Sequence, residues 1–375
     1  MFLQALNLEM SLSERAQHEM VCADKVLSTN RLYRVGNLLL HLYKFMKSFF
    51  AIFLSFAAVI VFLLPTDVRA ERLWSSGCEL DAPGAIQDRL EWERGNQSPG
   101  MQSTTARKRS GNLSCVADHG AVGKSSMINS ITLGADDYNN IFSRFYIYIE
   151  TLPNTNASIA TLVENPSNYV TLFLTPTGQL SFLNEISGAQ VAGSQTLATG
   201  RWYQVEFALT VGKKIDVRVD GVAIMSQYTL SSTFDVYALR LGLCVTTSTI
   251  LCSSGVGATG KIYFDDIGIN DNAGSVQNSW LGDGSIVHMQ PDSAGNSNNC
   301  NAGGAFDSVD EVTPDDGATI CVLPTNGNKL EVNVESTGSA GINATSIKFV
   351  QVGSRAAETP VDGAGSLEYQ LIVRR

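Results

Sequence analysis

Alternation of apolar and polar side chains around residues 200–228 constrains the fold more than any other feature of this 375-residue chain. Residues 203–210 and 215–220 alternate with a period of two, which is typical of strands with one buried face. Asp220 and Gly221, which end the second stretch, suit a type I′ hairpin turn, because this turn requires positive φ at both central residues. With a third strand starting at Val222, the stretch predicts an antiparallel three-stranded meander.

A resemblance to a known family follows from this pattern. Trp202 and Tyr203, followed by strand, turn, strand, Asp-Gly and strand, resemble the central hairpins of laminin-G-like jelly rolls of the concanavalin A type. The segment 260–269, which reads Gly-Lys-Ile-Tyr-Phe-Asp-Asp-Ile-Gly-Ile, resembles their closing strand. The resemblance covers about residues 74–271 and implies an all-β, laminin-G-like jelly-roll sandwich. It says little about activity, because one fold hosts many functions.

Further strands are predicted from apolar runs bounded by turn residues. In one of them a core-facing side is marked by Phe142, Phe145, Ile147 and Ile149, and Tyr146 and Tyr148 lie on the opposite face. Residues 71–120 are predicted to be rich in loops, and within them the segment 73–79 resembles the opening strand of the jelly roll. The predicted strands are 112–116, 126–132, 142–151, 158–163, 169–174, 179–183, 237–244 and 261–269.

The N-terminal region is predicted to lie outside the fold. Residues 49–64 are apolar and uncharged, Lys44 and Lys47 precede them, and Val68-Arg69-Ala70 supplies small residues at a cleavage site. This arrangement is typical of a secretory signal, and the run is shorter than the roughly 20 residues of most spanning helices. We therefore predict an upstream extension or cytoplasmic tail at 1–45 and a signal peptide or membrane anchor at 46–70. The protein is then secreted or on the cell surface, and meets a membrane only through this segment.

Cysteine usage fits an oxidising compartment. Six of the seven cysteines follow the signal segment, and an even set in an exported chain favours disulfides. Order and spacing suggest the pairs Cys78–Cys115, Cys244–Cys252 and Cys300–Cys321, although sequence alone does not fix the connectivity. The net charge of −10 argues against nucleic acid as a partner, since phosphate binding needs clustered basic residues. The single basic run, residues 107–109, is interpreted as a solvated loop.

A second β region is predicted at 276–375, after a jelly roll at 71–275. The run 278–288 and the later run 309–317 resemble segments of uncharacterised bacteriophage virion proteins. The region has fewer predicted strands than the seven or so of a typical sandwich, so we expect it to be incomplete. Its predicted strands are 318–322, 329–334, 346–352 and 367–373, with Ile286 and His288 in another, and Val350, Val352 and Leu371 are expected to be partly uncovered.

Catalytic motifs are absent from the sequence. Glycanases on this type of fold place two carboxylates at i and i+4 of one strand, in Glu-x-Asp-x-Glu or a near variant, and no such run occurs. Glu91-Trp92-Glu93 comes nearest, and we interpret its charges as solvent-exposed. Nucleophile-elbow, zinc-protease and phosphate-loop motifs are also missing. The sequence therefore predicts a protein that is not an enzyme.

Two kinds of binding site remain as hypotheses. Sandwiches of this type often bind calcium at a rim, and carboxylates are suitable ligands. The candidate calcium ligands are Asp265, Asp266, Asp136, Asp137 and Asp271. Glycan binding needs aromatic rings beside polar groups, and the candidates at one rim are Tyr138, Asn139, Asn140, Asn168, Tyr169 and Tyr228.

The leading hypothesis is a non-catalytic, exported β-sandwich that binds or recognises a surface, with glycan as the ligand class that the resemblance implies. The alternative is a structural component of a bacteriophage virion or tail, which an export signal argues against. A glycan hydrolase is a third hypothesis, disfavoured by the missing carboxylate motif.

Overall fold

The computed structural model describes most of the chain beyond residue 71. Residues 1–68 and 69–375 form separate compact units, and of the first unit only Met46 and Lys47 are described, in helical conformation. The predicted segments 1–45 and 46–70 otherwise lie outside the described residues. The described residues are 46–47, 72–80, 83–86, 92–94, 100–120, 126–130, 133, 138, 140–165, 168–184, 187–230, 234–247, 250–251, 258–273, 276–300, 330–338, 347 and 350. Within these ranges no helix has the length and apolar character needed to span a membrane.

Two antiparallel sheets account for most of the described residues, and the strands are numbered in chain order. The first sheet has the order β14-β13-β12-β7-β17-β5-β4-β2, and β1 pairs with β17 as well. Its strands are β1 (Arg72–Ser76), β2 (Gly84–Ala85), β4 (Gln102–Thr104), β5 (Ser114–His119), β7 (Ile141–Thr151), β12 (Trp202–Thr210), β13 (Lys214–Val219), β14 (Val222–Thr229) and β17 (Gly260–Asp271).

The second sheet has the order β11-β10-β9-β8-β15-β6-β3, and β16 pairs with β15. Its strands are β3 (Trp92–Arg94), β6 (Ser126–Ser130), β8 (Ala157–Asn165), β9 (Asn168–Leu174), β10 (Gln179–Asn184), β11 (Ala189–Thr196), β15 (Ala238–Thr247) and β16 (Ile250–Leu251). One apolar core joins the two sheets, with Phe145 and Phe207 from the first and Phe182 and Leu241 from the second. The predicted all-β sandwich is confirmed.

The meander predicted from the alternation is formed by β12, β13 and β14. Val205 pairs with Val219, and Val219 pairs with Val222 across the turn. Asp220 has φ 50° and Gly221 has φ 76°, as a type I′ turn requires. The inward residues of β12 and β13 are buried, while their partners on the other face vary in exposure.

Several strands depart from the sequence prediction. β11 was not predicted, because its sequence Ala-Gln-Val-Ala-Gly-Ser-Gln-Thr carries one large apolar residue. Within residues 71–120, predicted to be rich in loops, β1 and β5 match the expected strands at 73–79 and 112–116, whereas β2, β3 and β4 have no counterpart in the prediction. Trp92 of β3 is buried and packs edge-on against Trp74, with ring centroids 4.6 Å apart. Burial of these two indoles explains why short strands form in a segment whose composition suggests loops.

The C-terminal region contains a two-stranded sheet of β18 (Pro291–Asn298) and β19 (Leu330–Val334). β19 matches the predicted strand at 329–334, whereas Ile286 and His288, predicted in a strand, lie in irregular structure. Val350 is 59% exposed, and Val352 and Leu371 lie outside the described residues. So do the predicted strands 318–322 and 367–373 and most of 346–352.

A disulfide joins Cys78 to Cys115, with Cα atoms 5.6 Å apart, and confirms the first predicted pair. It ties the segment after β1 to β5 inside the core. Cys244 and Cys300 are disulfide-bonded as well. Their predicted partners, Cys252 and Cys321, lie outside the described residues, so those two pairs stay predictions.

Candidate functional site

The outer face of the first sheet carries the polar and aromatic side chains that the core excludes. In β7 the side chains of Phe145, Ile147 and Ile149 are fully buried in the core. Phe142, expected from the sequence to share their side, lies in a separate cluster with Ala208 and Leu281, because a residue three positions before Phe145 faces the other side of a strand. Strand geometry directs Tyr146 and Tyr148 to the opposite face, as predicted from the sequence. This outer face, across β12, β7 and β17, is the candidate site.

Three aromatic side chains form a row across these strands. Trp202 of β12 pairs with Tyr148 of β7, and Tyr148 pairs with Tyr263 of β17. The ring centroids of Tyr148 and Trp202 are 5.6 Å apart, and those of Tyr148 and Tyr263 are 6.0 Å apart. Trp202 and Tyr148 are half-buried, whereas Tyr263 is 1% exposed. We call Trp202, Tyr148 and Tyr263 the aromatic row.

A cluster of four charged side chains borders the row beside Tyr148 and Tyr263, and we call it the charged cluster. Its members are Arg107, Asp118, Glu150 and Lys261. Lys261 Nζ lies 3.0 Å from Asp118 and 3.5 Å from Glu150, and Arg107 Nε lies 3.7 Å from Glu150. The Arg107 guanidinium stands 5.3 Å from the Tyr148 ring centroid. The Tyr263 hydroxyl donates a hydrogen bond to Glu150 Oε2 at 3.1 Å.

One more ion pair lies next to Trp202 along the chain. Arg201 Nη2 lies 3.1 Å from Asp220 Oδ2, and the Arg201 guanidinium stacks 4.0 Å from the Tyr203 ring centroid. The Gln204 amide donates to Asp220 Oδ1 at 3.0 Å. The charged cluster therefore offers hydrogen-bond donors and acceptors beside the aromatic row, whereas Arg201 stacks on a ring of the core face.

Residues 280–286, which we call the strap, cover the rest of this face. Trp280 packs edge-on against Phe142 with centroids 5.4 Å apart, and Arg218 stacks 3.9 Å from the Trp280 ring centroid. Leu281 is buried between Phe142 and Ala208. The strap thus lies against the first sheet beside the aromatic row, where Tyr148 and Trp202 are half-buried.

Arg109 fixes the strap to the sheet. Its Nη1 donates to Asp266 Oδ2 at 2.6 Å and to the Gly284 carbonyl at 3.0 Å. Its Nη2 donates to Asp283 Oδ1 at 2.7 Å, and its guanidinium lies 3.5 Å from the Tyr146 ring centroid. Tyr146 also donates to Asp283 through its hydroxyl. The residue that the sequence placed in a solvated loop is therefore the centre of a polar network.

Arg144 and Glu206 bind the strap backbone on the other side of this network. Arg144 Nη1 donates to the Gly282 carbonyl at 3.0 Å, and its Nε and Nη2 donate to the Asp266 carbonyl at 3.1 and 3.0 Å. The Gly282 amide donates to Glu206 Oε1 at 2.9 Å. Arg144 and Glu206 are both buried, so the polar groups under the strap are paired rather than solvated.

A β-bulge in β17 brings two acids into the same network. The register against β7 shifts between Asp265 and Gly268, and Asp266 takes φ 50°, which is unusual for a residue other than glycine. Asp265 accepts hydrogen bonds from the amides of Arg109 at 2.7 Å and Ser110 at 3.3 Å.

Two effects raise the pKa of Asp265 to about 8, of which burial is the larger and the charge of Asp266 is the smaller. Burial likewise raises the pKa of Glu79 to about 7.

These raised pKa values predict that stability falls as the pH increases. An unfolded Asp releases its proton near pH 4, whereas folded Asp265 keeps it to about pH 8. Between these values the folded state binds more protons, so the free energy of unfolding should drop by up to about 1.4 kcal/mol per pH unit for each such group. Urea unfolding between pH 5 and pH 8 measures this slope. Asp265→Asn should flatten the slope above pH 7, and an unchanged slope in that variant would contradict the assignment.

The predicted glycan-binding residues lie apart from the aromatic row. Tyr138 bridges to Val236 and packs against the core, Tyr169 is 3% exposed, and Tyr228 packs against Phe182 with centroids 5.0 Å apart. Asn140 is buried as well. Asn139 and the side chain of Asn168 lie outside the described residues. Binding at this rim stays a prediction, and the described rings there are packed into the sandwich.

The predicted calcium ligands are also held by protein contacts where the structure describes them. Asp265 and Asp266 are fully buried and accept the hydrogen bonds of the polar network, and Asp271 accepts one from the Ala273 amide at 2.9 Å. Asp136 and Asp137 lie outside the described residues. In the described part of the chain no three His, Cys, Asp or Glu side chains are grouped to hold a metal ion. Calcium binding stays a prediction.

Comparisons with known proteins give a likeness of fold alone. No protein family profile matches the chain, and no curated protein matches it. Cellulose induced protein, Cip1, is 14% identical, with 53% of this chain and 96% of that chain covered and a TM-score of 0.40. Domain 4 of AbnA, a GH43 extracellular arabinanase from Geobacillus stearothermophilus, solved in complex with arabinotriose, is 18% identical, with 52% and 82% covered and a TM-score of 0.33. The botulinum neurotoxin type G receptor binding domain is 12% identical, with 50% and 47% covered and a TM-score of 0.32.

Proposed function

We propose that this protein is a non-catalytic, exported β-sandwich that binds glycan on the aromatic row. The observation that carries the proposal is the half-buried pair Trp202 and Tyr148 on adjacent strands, bordered by the ion pairs of the charged cluster. A sugar ring has an apolar C–H face that packs on an aromatic ring, and hydroxyls that need donors and acceptors. The row supplies the first requirement and the flanking ion pairs supply the second.

Export is part of the proposal and rests on separate observations. The apolar run 49–64 and the small residues before Glu71 are those of a secretory signal. The disulfide between Cys78 and Cys115 supports an oxidising compartment, because such bonds are rare where thiols are kept reduced. The alternative role in a bacteriophage particle stays a hypothesis, since no described contact bears on it.

Tyr148→Ala tests the site after a glycan array has identified a ligand for the full chain. Loss of the ring should weaken binding at least about tenfold, equivalent to ~1.4 kcal/mol, because the sugar loses its stacking surface. Isothermal titration calorimetry measures the dissociation constant, and a thermal melt verifies that the variant is folded.

Tyr228→Ala is the matched control, because Tyr228 is a half-buried aromatic at the rim that the sequence favoured. The proposal expects its affinity to equal that of the wild type. Weaker binding by Tyr228→Ala together with unchanged binding by Tyr148→Ala would move the site to the rim. A folded chain that binds no glycan on the array would contradict the proposed function.

A further inference from the structure

The geometry of the aromatic row defines the glycan more narrowly, and this inference rests on the proposed function. We propose that the ligand is a neutral, soluble glycan chain whose consecutive sugar rings are turned relative to each other. The chain lies across the strands, from Trp202 over Tyr148 towards the charged cluster. Three features of the row support this: the angle between the half-buried rings of Trp202 and Tyr148, the full burial of Tyr263, and the balance of charge in the charged cluster.

The angle between the rings of Tyr148 and Trp202 restricts the shape of the glycan chain that can stack on both. The planes of Tyr148 and Trp202 are inclined by 58° at a centroid separation of 5.6 Å, which is comparable to the length of one sugar ring. A flat ribbon of sugars presents coplanar faces, so it cannot stack on both rings at once. A chain whose neighbouring rings are rotated can place one face on each. The same angle disfavours the flat surface of a crystalline polysaccharide.

Tyr263 supports the platform rather than extending it. Only 1% of the residue is exposed, and its ring meets the Tyr148 ring at an interplanar angle of 81°. Its hydroxyl is bonded to Glu150. These contacts fix the orientation of the Tyr148 ring from the neighbouring strand β17. The row therefore has two stacking positions, followed by a polar position at the charged cluster, and three sugar rings would fill them.

The charges around the row cancel. Each cation of the charged cluster lies within 4 Å of a carboxylate: Arg107 of Glu150, and Lys261 of Asp118 and Glu150. An acidic sugar would have to compete with these carboxylates for every cation that it approached. Neutral hydroxyls both donate and accept, so they can bond to either partner of a pair without separating it. The balance therefore favours a neutral ligand.

A panel of soluble oligosaccharides tests this inference with the wild-type full chain. Maltoheptaose and laminarihexaose are neutral chains with rotated neighbouring rings, cellohexaose is a flat neutral chain, and hexagalacturonate is acidic. We expect at least one rotated neutral chain to bind at least tenfold more tightly than cellohexaose and hexagalacturonate. Its dissociation constant should change less than twofold between 50 and 500 mM NaCl, because no net charge is neutralised. Among shorter oligosaccharides of the same linkage, the disaccharide should bind more weakly than the trisaccharide.

The outcomes separate this inference from the proposed function. Tightest binding of cellohexaose or hexagalacturonate, lost in Tyr148→Ala, would overturn the ligand class and leave glycan binding on the row intact. A tenfold loss of affinity at 500 mM NaCl would overturn the neutral ligand in the same way. Absence of binding to every member of the panel and to a glycan array would overturn both.

Discussion

Replacing Arg109 with alanine should lower the free energy of unfolding by about 3–5 kcal/mol, because it removes the cation that faces a buried carboxylate. Asp266 is fully buried, and Arg109 Nη1 lies 2.6 Å from its Oδ2. The same guanidinium binds Asp283 and the Gly284 carbonyl, so its loss also frees one attachment of the strap. Urea unfolding followed by tryptophan fluorescence measures the change, since Trp280 of the strap packs on the sheet.

Arg107→Ala is the control for this prediction. Arg107 lies in the same loop, but its side chain is 52% exposed and its partner Glu150 is 37% exposed. Exposed ion pairs contribute little, so the variant should lose less than about 1 kcal/mol. Equal losses in the two variants would show that the loop as a whole, rather than the buried pair, stabilises the fold.

Removing the disulfide between Cys78 and Cys115 should cost about 3–4 kcal/mol. The bond closes a loop with a sequence separation of 37 residues, and opening it returns conformational freedom mainly to the unfolded chain. The double variant Cys78→Ala and Cys115→Ala keeps small apolar side chains in two buried positions. Its urea midpoint, measured without reductant so that the other disulfides persist, gives the effect. A midpoint equal to that of the wild type would show that the loop is held by its packing alone.

The core strands could be predicted from the sequence because their alternation reports burial directly. β12 and β13 alternate large apolar residues with others along their length, β7 and β17 do so along most of theirs, and each strand lies within two residues of its predicted bounds. β11 lacks that signal, since its burial is shallow and its residues are small or polar. The strands before residue 105 are short and held by long-range contacts such as Trp74 on Trp92, which no local pattern reveals.

The candidate site could be predicted only in part. Alternation placed Tyr146 and Tyr148 on the outer face, but the row exists because the registers of β12 and β17 against β7 align Trp202 and Tyr263 with Tyr148. Register between strands far apart in sequence is set by the packed sandwich, not by either strand alone. The rim aromatics were favoured because they adjoin polar residues, a pattern that does not distinguish a packed ring from an open one.

The basic run 107–109 shows that the partners of a charged side chain are equally hard to predict from the local sequence. Its residues were assigned to solvent because basic runs usually lie there, and Arg107 is indeed exposed. Arg109 instead meets acids from the bulge in β17 and from the strap, which lie far along the chain. A bulge with positive φ at an aspartate has no reliable sequence signal, so this network could not be foreseen.

The position of β17 has a consequence for how the chain folds. This strand comes late in the sequence, yet it pairs with β1, β5 and β7 in the interior of the first sheet. Arg72 faces Asn270, so the earliest described strand finds its partner across almost the whole domain. Contacts of such long range slow folding, because the entropy of closing the loop is lost before the contacts form. The first sheet therefore cannot form completely during synthesis until Gly260–Asp271 has emerged. Until then β1 and β5 are not paired with β17.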